Sequence, residues 1–163
     1  MTRGLRNNNP LNIRRSATRW QGAREEQTDP SFVQFKTMAY GYRAAWKILQ
    51  SYYERFRMQK KPFTVRNIVG RWAPPVENDT EAYIIHALKL SGIGGKENLF
   101  PPDNASGYGR NSRLMAAMTC IECGIRMEQV DTEAICKGYH LAFPKNRKAL
   151  EEWLDGEDEY RDW

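Results

Sequence analysis

Between residues 38 and 58 the apolar side chains return every three or four positions. Ala44, Ala45, Ile48, Leu49, Tyr52 and Tyr53 share one face, which predicts a helix from a Thr37 cap to about Met58. Val65, Ile68 and Val69 repeat the spacing behind Thr64 and lead to Trp72, where Pro74-Pro75 stops the helix. Tyr83, Ile84, Ala87, Leu88 and Leu90 predict a helix capped by Thr80 and closed by Gly92. A strongly apolar helix follows from Ser112 to Cys123, carrying Leu114, Met115, Ala117, Met118 and Ile121 and ended by Gly124. Further helices are expected from Asp131, its own cap, to Phe143 and from Lys145 to Leu154. Residues 1–31 show no such period. Ser31 to Lys36 alternates apolar and polar around Phe32, Val33 and Phe35, the pattern of a short strand or extended segment. Gly92 to Gly109 is rich in Gly, Pro and Asn and predicts a long loop, a feature often tied to function in a compact domain. The pattern describes a mainly α protein with minimal β, one domain over 1–163, with the acidic stretch 155–163 a candidate flexible tail.

Composition narrows the class. At 163 residues, 40% hydrophobic and 28% charged, the chain has the balance of a soluble domain large enough for a proper core. No run approaches the roughly 20 apolar residues of a membrane span. The start, Met1 to Asn7, lacks the apolar stretch of a secretory leader. Synthesis in a cytoplasm is therefore expected. Action on a cell wall would follow release, as a virion component or a delivered effector.

A net charge of +5 and a pI near 9.2 favour an anionic partner. Basic residues cluster from Arg3 to Arg19, Arg43 to Lys61 and Lys137 to Lys148, and the tail from Glu151 to Asp162 is acidic. Nucleic acid would satisfy the charge, but no nucleic-acid motif is present and the acidic tail interrupts a basic face. Bacterial cell wall, with peptide carboxylates and teichoic phosphates, satisfies it equally.

Cys120 and Cys123 have the Cys-x-x-Cys spacing of a metal or redox site. Both fall in a helical pattern with no second pair, and neither His86 nor His140 completes a ligand spacing. Small buried thiols are the better account, and no metal or cofactor is expected.

The densest chemistry lies at the front. Arg6-Asn7-Asn8-Asn9-Pro10-Leu11-Asn12-Ile13-Arg14 does not suit a helix, because Asn bonds its own backbone and Pro10 biases Asn9 away from helical angles. Such a turn presents side-chain amides, each with donors and an acceptor, suited to reading sugars or peptide bonds. Composition alone favours a polar turn without a role. The same segment, with Trp20-Gln21-Gly22, Phe32-Val33-Gln34-Phe35, Gly41-Tyr42-Arg43-Ala44 and Trp72 through Tyr83, resembles a family of phage and prophage proteins usually labelled virion structural proteins. The resemblance spans roughly residues 3 to 90, with a weaker echo near Glu122. Leu11 stands where that family has Gly, which implies a more tightly packed turn.

Glu122 is the candidate acid. It ends an apolar helix beside Met118, Thr119 and Cys120, and both apolar surroundings and a helix C-terminus disfavour a charged carboxylate. A proton held there would suit general acid catalysis of glycosidic cleavage. A surface Glu in the last helical turn is the plain alternative. The order of Asn8 to Ile13, the helix of Gly41 to Tyr53, and Asn78 to Tyr83 resembles lysozyme-like glucosaminidases and lytic transglycosylases. In those enzymes a Glu-bearing helix end comes first; here Glu122-Cys123-Gly124 comes last, which implies a circularly permuted lysozyme-like arrangement. Cys123 replaces a small polar residue of that pattern.

The resemblance implies roles. Glu122 would be the acid, and Asn8, Asn9 and Asn12 would hold acetamido and hydroxyl groups of a peptidoglycan strand. Trp20, Tyr40, Tyr42 and Trp72 would offer stacking faces, unless they are core. Tyr83 would line the cleft, with Asn78 beside it. Glu77 is the first candidate for a second carboxylate, ahead of Glu25, Glu26 and Asp29. Without one, a transglycosylase or substrate assistance needs only the single acid. The rival classes are a non-catalytic virion or wall-binding protein, with virion or injection-system components as partners, and a basic nucleic-acid-binding phage protein.

Overall fold

The computed structural model describes residues 1–146. The helix expected from Lys145 to Leu154 falls almost wholly outside them, as does the acidic tail. Within them lie six α-helices: α1 (Arg3–Arg6), α2 (Met38–Met58), α3 (Val65–Trp72), α4 (Thr80–Ser91), α5 (Ala105–Cys123) and α6 (Thr132–Ala142). Short 3₁₀ turns occupy Met127–Gln129 and Pro144–Asn146. The protein is mainly α. Among the described residues no helix is long and apolar enough to cross a membrane.

Helix boundaries follow capping chemistry. The hydroxyls of Thr37 and Thr64 accept from the main-chain N–H groups of Tyr40 and Asn67, and Asp131 accepts from Ala134. Two boundaries differ from the sequence pattern. The cap of α4 is Asp79, whose carboxylate accepts from Ala82 N at 3.1 Å; the Thr80 hydroxyl turns back and donates to Ala73 O at 2.5 Å. Helix α5 begins seven residues early, because Asn104 accepts from Gly107 N. Gly107 sits in its first turn since a Cβ there would lie 2.0 Å from Pro101 O. The expected loop is shortened to the stretch from Gly92 to Asn104.

One connected core runs through the molecule. Helix α2 packs chiefly on α6, α4 on α5 and α3 on α4. Trp46 of α2 is fully buried at the centre, stacked on Tyr108 at 5.7 Å and edge-on to Tyr139 at 5.1 Å. Its indole N–H donates to Ile135 O at 3.0 Å, which satisfies the one polar group it carries inward.

The N-terminal third is held by hydrogen bonds rather than by a sheet. Ser31 to Lys36 is extended but forms only the single bridges Arg14–Phe32 and Ala23–Phe35. Main-chain bonds from Phe35 N to Asn7 O and from Val33 N to Ile13 O tie it to the asparagine turn. Asp29 anchors that tie. Its carboxylate accepts from the Arg3 guanidinium at 2.6 and 2.7 Å, from Asn7, and from Ser31 N and Phe32 N. The Arg3 guanidinium above all holds the Asp29 carboxyl far below the usual carboxylate range, against the opposing effect of burial. Gly41 lets this block dock on α2, since a Cβ there would lie 2.0 Å from Asn8 O. Leu11, at the position where the resembled family has glycine, is 1% exposed and belongs to the core.

Candidate functional site

A groove of about 300 Å³ opens where the asparagine turn, α2, the end of α3 and the end of α5 meet. Asn12, Ile13 and Arg14 form one wall with Phe32, and Ile48 and Tyr52 of α2 form the floor. Trp72, Ala73, Glu77 and Asn78 form the opposite wall, and Glu122 enters from the end of α5.

Glu122 is held from two directions. Asn12 Nδ2 donates to Glu122 Oε2 at 2.9 Å, and the Tyr83 hydroxyl donates to Oε1 at 3.2 Å. Asn12 Nδ2 also lies 3.3 Å from Glu122 O, one of the carbonyls left open in the last turn of α5. Asn12 reaches this position because its φ is +51°, a left-handed conformation that Asn tolerates better than most side chains. Next to it the Cys123 thiol donates to Pro10 O at 3.2 Å and fixes the turn against the helix end. Burial raises the Tyr83 phenol well above its ordinary range, and the adjacent Glu122 charge adds to the shift. Burial likewise pushes the Cys123 thiol up to about 11.

Glu77 and Asn78 lie in the loop between α3 and α4. Glu77 is exposed and pairs with Arg14 at 3.5 Å, an ion pair that joins the two walls of the groove. The Asn78 amide donates to Pro74 O at 3.3 Å. Trp72 is half-buried, edge-on to Tyr52 at 6.3 Å, so each presents part of its ring to the groove.

Other residues singled out in the sequence lie elsewhere, for identifiable reasons. Asn9 is fully buried: it donates to Ile13 O and Val33 O and accepts from Ile13 N, so no part of its amide is free for a sugar. Asn8 adopts φ +50° and donates to the main-chain oxygens of Phe35 and Lys36. Tyr42 is 1% exposed, with its hydroxyl 2.8 Å from that of Thr119. Tyr40 lays its ring against Gly22, and Trp20 lines a separate pocket. Of the weaker carboxylates, Asp29 is consumed by the Arg3 ion pair and Glu25 lies in the Trp20 pocket. Cys120 and Cys123 are buried free thiols. Among the described residues no three His, Cys, Asp or Glu side chains gather as a metal site.

Ile48, Tyr52, Phe32 and Arg14 also line the groove, although the sequence pattern marks them only as parts of a helix stripe, an extended segment and a turn. Ile48 and Tyr52 stand four apart on α2, within the same apolar stripe that builds the core. A stripe of that kind carries no mark of where a groove interrupts it.

The fold and site together define a mainly α protein with a carboxylate held at the end of a half-apolar groove. No protein-family model matches the chain. Over 100 residues it is 41% identical to Protein P5 of Pseudoalteromonas phage PM2, a match covering 60% of this chain and 60% of that protein.

Proposed function

We propose that the groove binds a peptidoglycan glycan strand and that Glu122 is the general acid for cleavage of its glycosidic bond. The observation that carries the reading is the convergence of Asn12, Tyr83 and Glu122, from three separated parts of the chain, on one carboxylate at a groove. A proton donor for a leaving oxygen must be held in place, and one hydrogen bond to each carboxylate oxygen holds it. The Tyr83 hydroxyl donates to a carboxylate and accepts from a carboxylic acid, so it serves both protonation states of a reaction cycle. Trp72 and Tyr52 supply the partly apolar faces that sugar rings stack on. Glu77 is the candidate second carboxylate. Separation from Glu122 of about 5 Å would correspond to retention and about 6.5–9.5 Å to inversion, whereas a transglycosylase needs only the acid. In this reading the acid from the rear half of the chain meets the asparagine turn at its front, which is the circularly permuted lysozyme-like arrangement.

The likeness to a phage protein favours a second reading: a phage virion or wall-binding protein that keeps the groove without turnover. Here the bonds to Glu122 serve to clamp the end of α5 to the turn, and the groove holds glycan as a binding surface.

One experiment separates them. Purified peptidoglycan is treated with the wild type and with Glu122→Gln, followed by dye release, wall sedimentation and mass analysis of fragments. Cleavage by the wild type with a loss of about 100-fold or more in the variant is expected of a general acid. Equal cleavage by both removes Glu122 from the mechanism. Sedimentation of both with the wall and no fragments establishes the binding protein.

A further inference from the structure

A second concavity, of about 490 Å³, lies apart from the Glu122 groove and is lined by Arg15, Arg19, Arg24, Trp20, Gln27 and Glu25, among others. Its lining is unbalanced in charge, because three arginines and one glutamate leave two positive charges. Arg15 is bound to a carbonyl rather than an acid: it donates to Asp29 O at 3.1 Å. Arg24 donates to Phe35 O and Arg6 O, both at 3.0 Å. These bonds fix the guanidiniums in place while leaving their charge uncancelled, the opposite of Arg3, whose charge is taken up by Asp29. Arg19 is exposed. Trp20 adds an aromatic wall, and its indole Nε1–H is enclosed without a hydrogen-bond partner.

We propose that this concavity is a binding site for a phosphorylated sugar. Fixed arginines recognise the oxygens of a phosphate by charge-assisted hydrogen bonds, and an indole face beside them accepts a sugar ring. Ser16 and Thr18 at the rim supply hydroxyls for the remaining ring oxygens. The shape favours a glycan over nucleic acid. It is a single concavity of a few sugar units, whereas a strand of nucleic acid needs a basic track continuing along the surface with successive stacking platforms.

The test measures binding by calorimetry and Trp fluorescence with a defined tetrasaccharide carrying one phosphate monoester, and with the same sugar after phosphatase treatment. A single-stranded oligonucleotide of matched charge is the third probe. The wild type is expected to bind the phosphorylated sugar about tenfold or more tighter than the dephosphorylated one. Arg19→Glu, at an exposed position, should fold normally and lose about tenfold in affinity. Trp20→Phe should weaken binding of the phosphorylated sugar and leave the thermal melt within a few degrees. The tenfold loss caused by Arg19→Glu should be the same in the Glu122→Gln background, so the result is independent of the groove's chemistry. Equal affinity for the two sugars, no effect of Arg19→Glu, or tighter binding of the oligonucleotide would each overturn the proposal.

Discussion

The four asparagines of the opening turn look alike in sequence and do different work in the protein. Asn7 links Asp29 to Gln34, donating to one at 2.9 Å and accepting from the other at 3.1 Å. Asn8 and Asn9 close main-chain gaps, and only Asn12 turns its amide to Glu122. Two substitutions separate structure from site. Asn9→Ala leaves one carbonyl, Val33 O, and one N–H, Ile13 N, without partners in a dry interior, and should cost about 3 kcal/mol in denaturant unfolding. Asn12→Ala should cost only about 1 kcal/mol while reducing wall cleavage or binding, because it frees the Glu122 side chain. Equal loss of stability in both would place Asn12 among the structural asparagines. That one of the four faces the groove was not legible in the sequence. Each has the same donors and acceptor, and the choice is made by backbone angles and by which carbonyls come within reach.

At the level of elements, spacing and caps located α2, α3 and α6 closely, because each starts at a side chain able to accept from the first open N–H groups. The start of α4 turns on two adjacent residues, Asp79 and Thr80, either of which can cap. Asp79→Ala should lower stability by about 1 kcal/mol through loss of the cap. Thr80→Ala should remove the bond to Ala73 O and leave amide protection at Ala82 unchanged; loss of that protection in Thr80→Ala but not in Asp79→Ala would make Thr80 the cap. The sequence pattern starts helix α5 seven residues late because Gly107 and Gly109 carry the signature of a loop. Here Gly107 is required by the close approach of Pro101, a contact between segments that no local pattern records.

Across the whole molecule, the Arg3–Asp29 pair ties α1 to the extended segment and so supports one wall of the groove. Its pH dependence has a definite sign. The folded carboxyl titrates well below the unfolded Asp value of about 3.9, so the unfolded chain binds the extra proton and acid destabilises the fold. The contribution is complete above about pH 5 and is lost as pH falls below about 4 toward the folded value. Asp29→Asn should therefore melt lower than the wild type at pH 7, and the gap should close as the melts are repeated toward pH 2. A gap that stayed constant with pH would show that the pair contributes nothing through its charge.

The sequence by itself determined helices α2 to α6 though not α1, most of their ends, the burial of Cys120 and Cys123 and the presence of a polar, amide-rich turn, because these follow from local spacing and from the bonding capacity of single side chains. Glu122 and Asn12 were visible as candidates but not as partners. Only the tertiary structure joined them, 110 positions apart, and withdrew Asn9 and Tyr42 into the interior. The physical reason is that a contact between distant segments depends on how whole helices pack. Trp46 and its ring of aromatic neighbours fix that packing, and with it the place where the end of α5 meets the front of the chain.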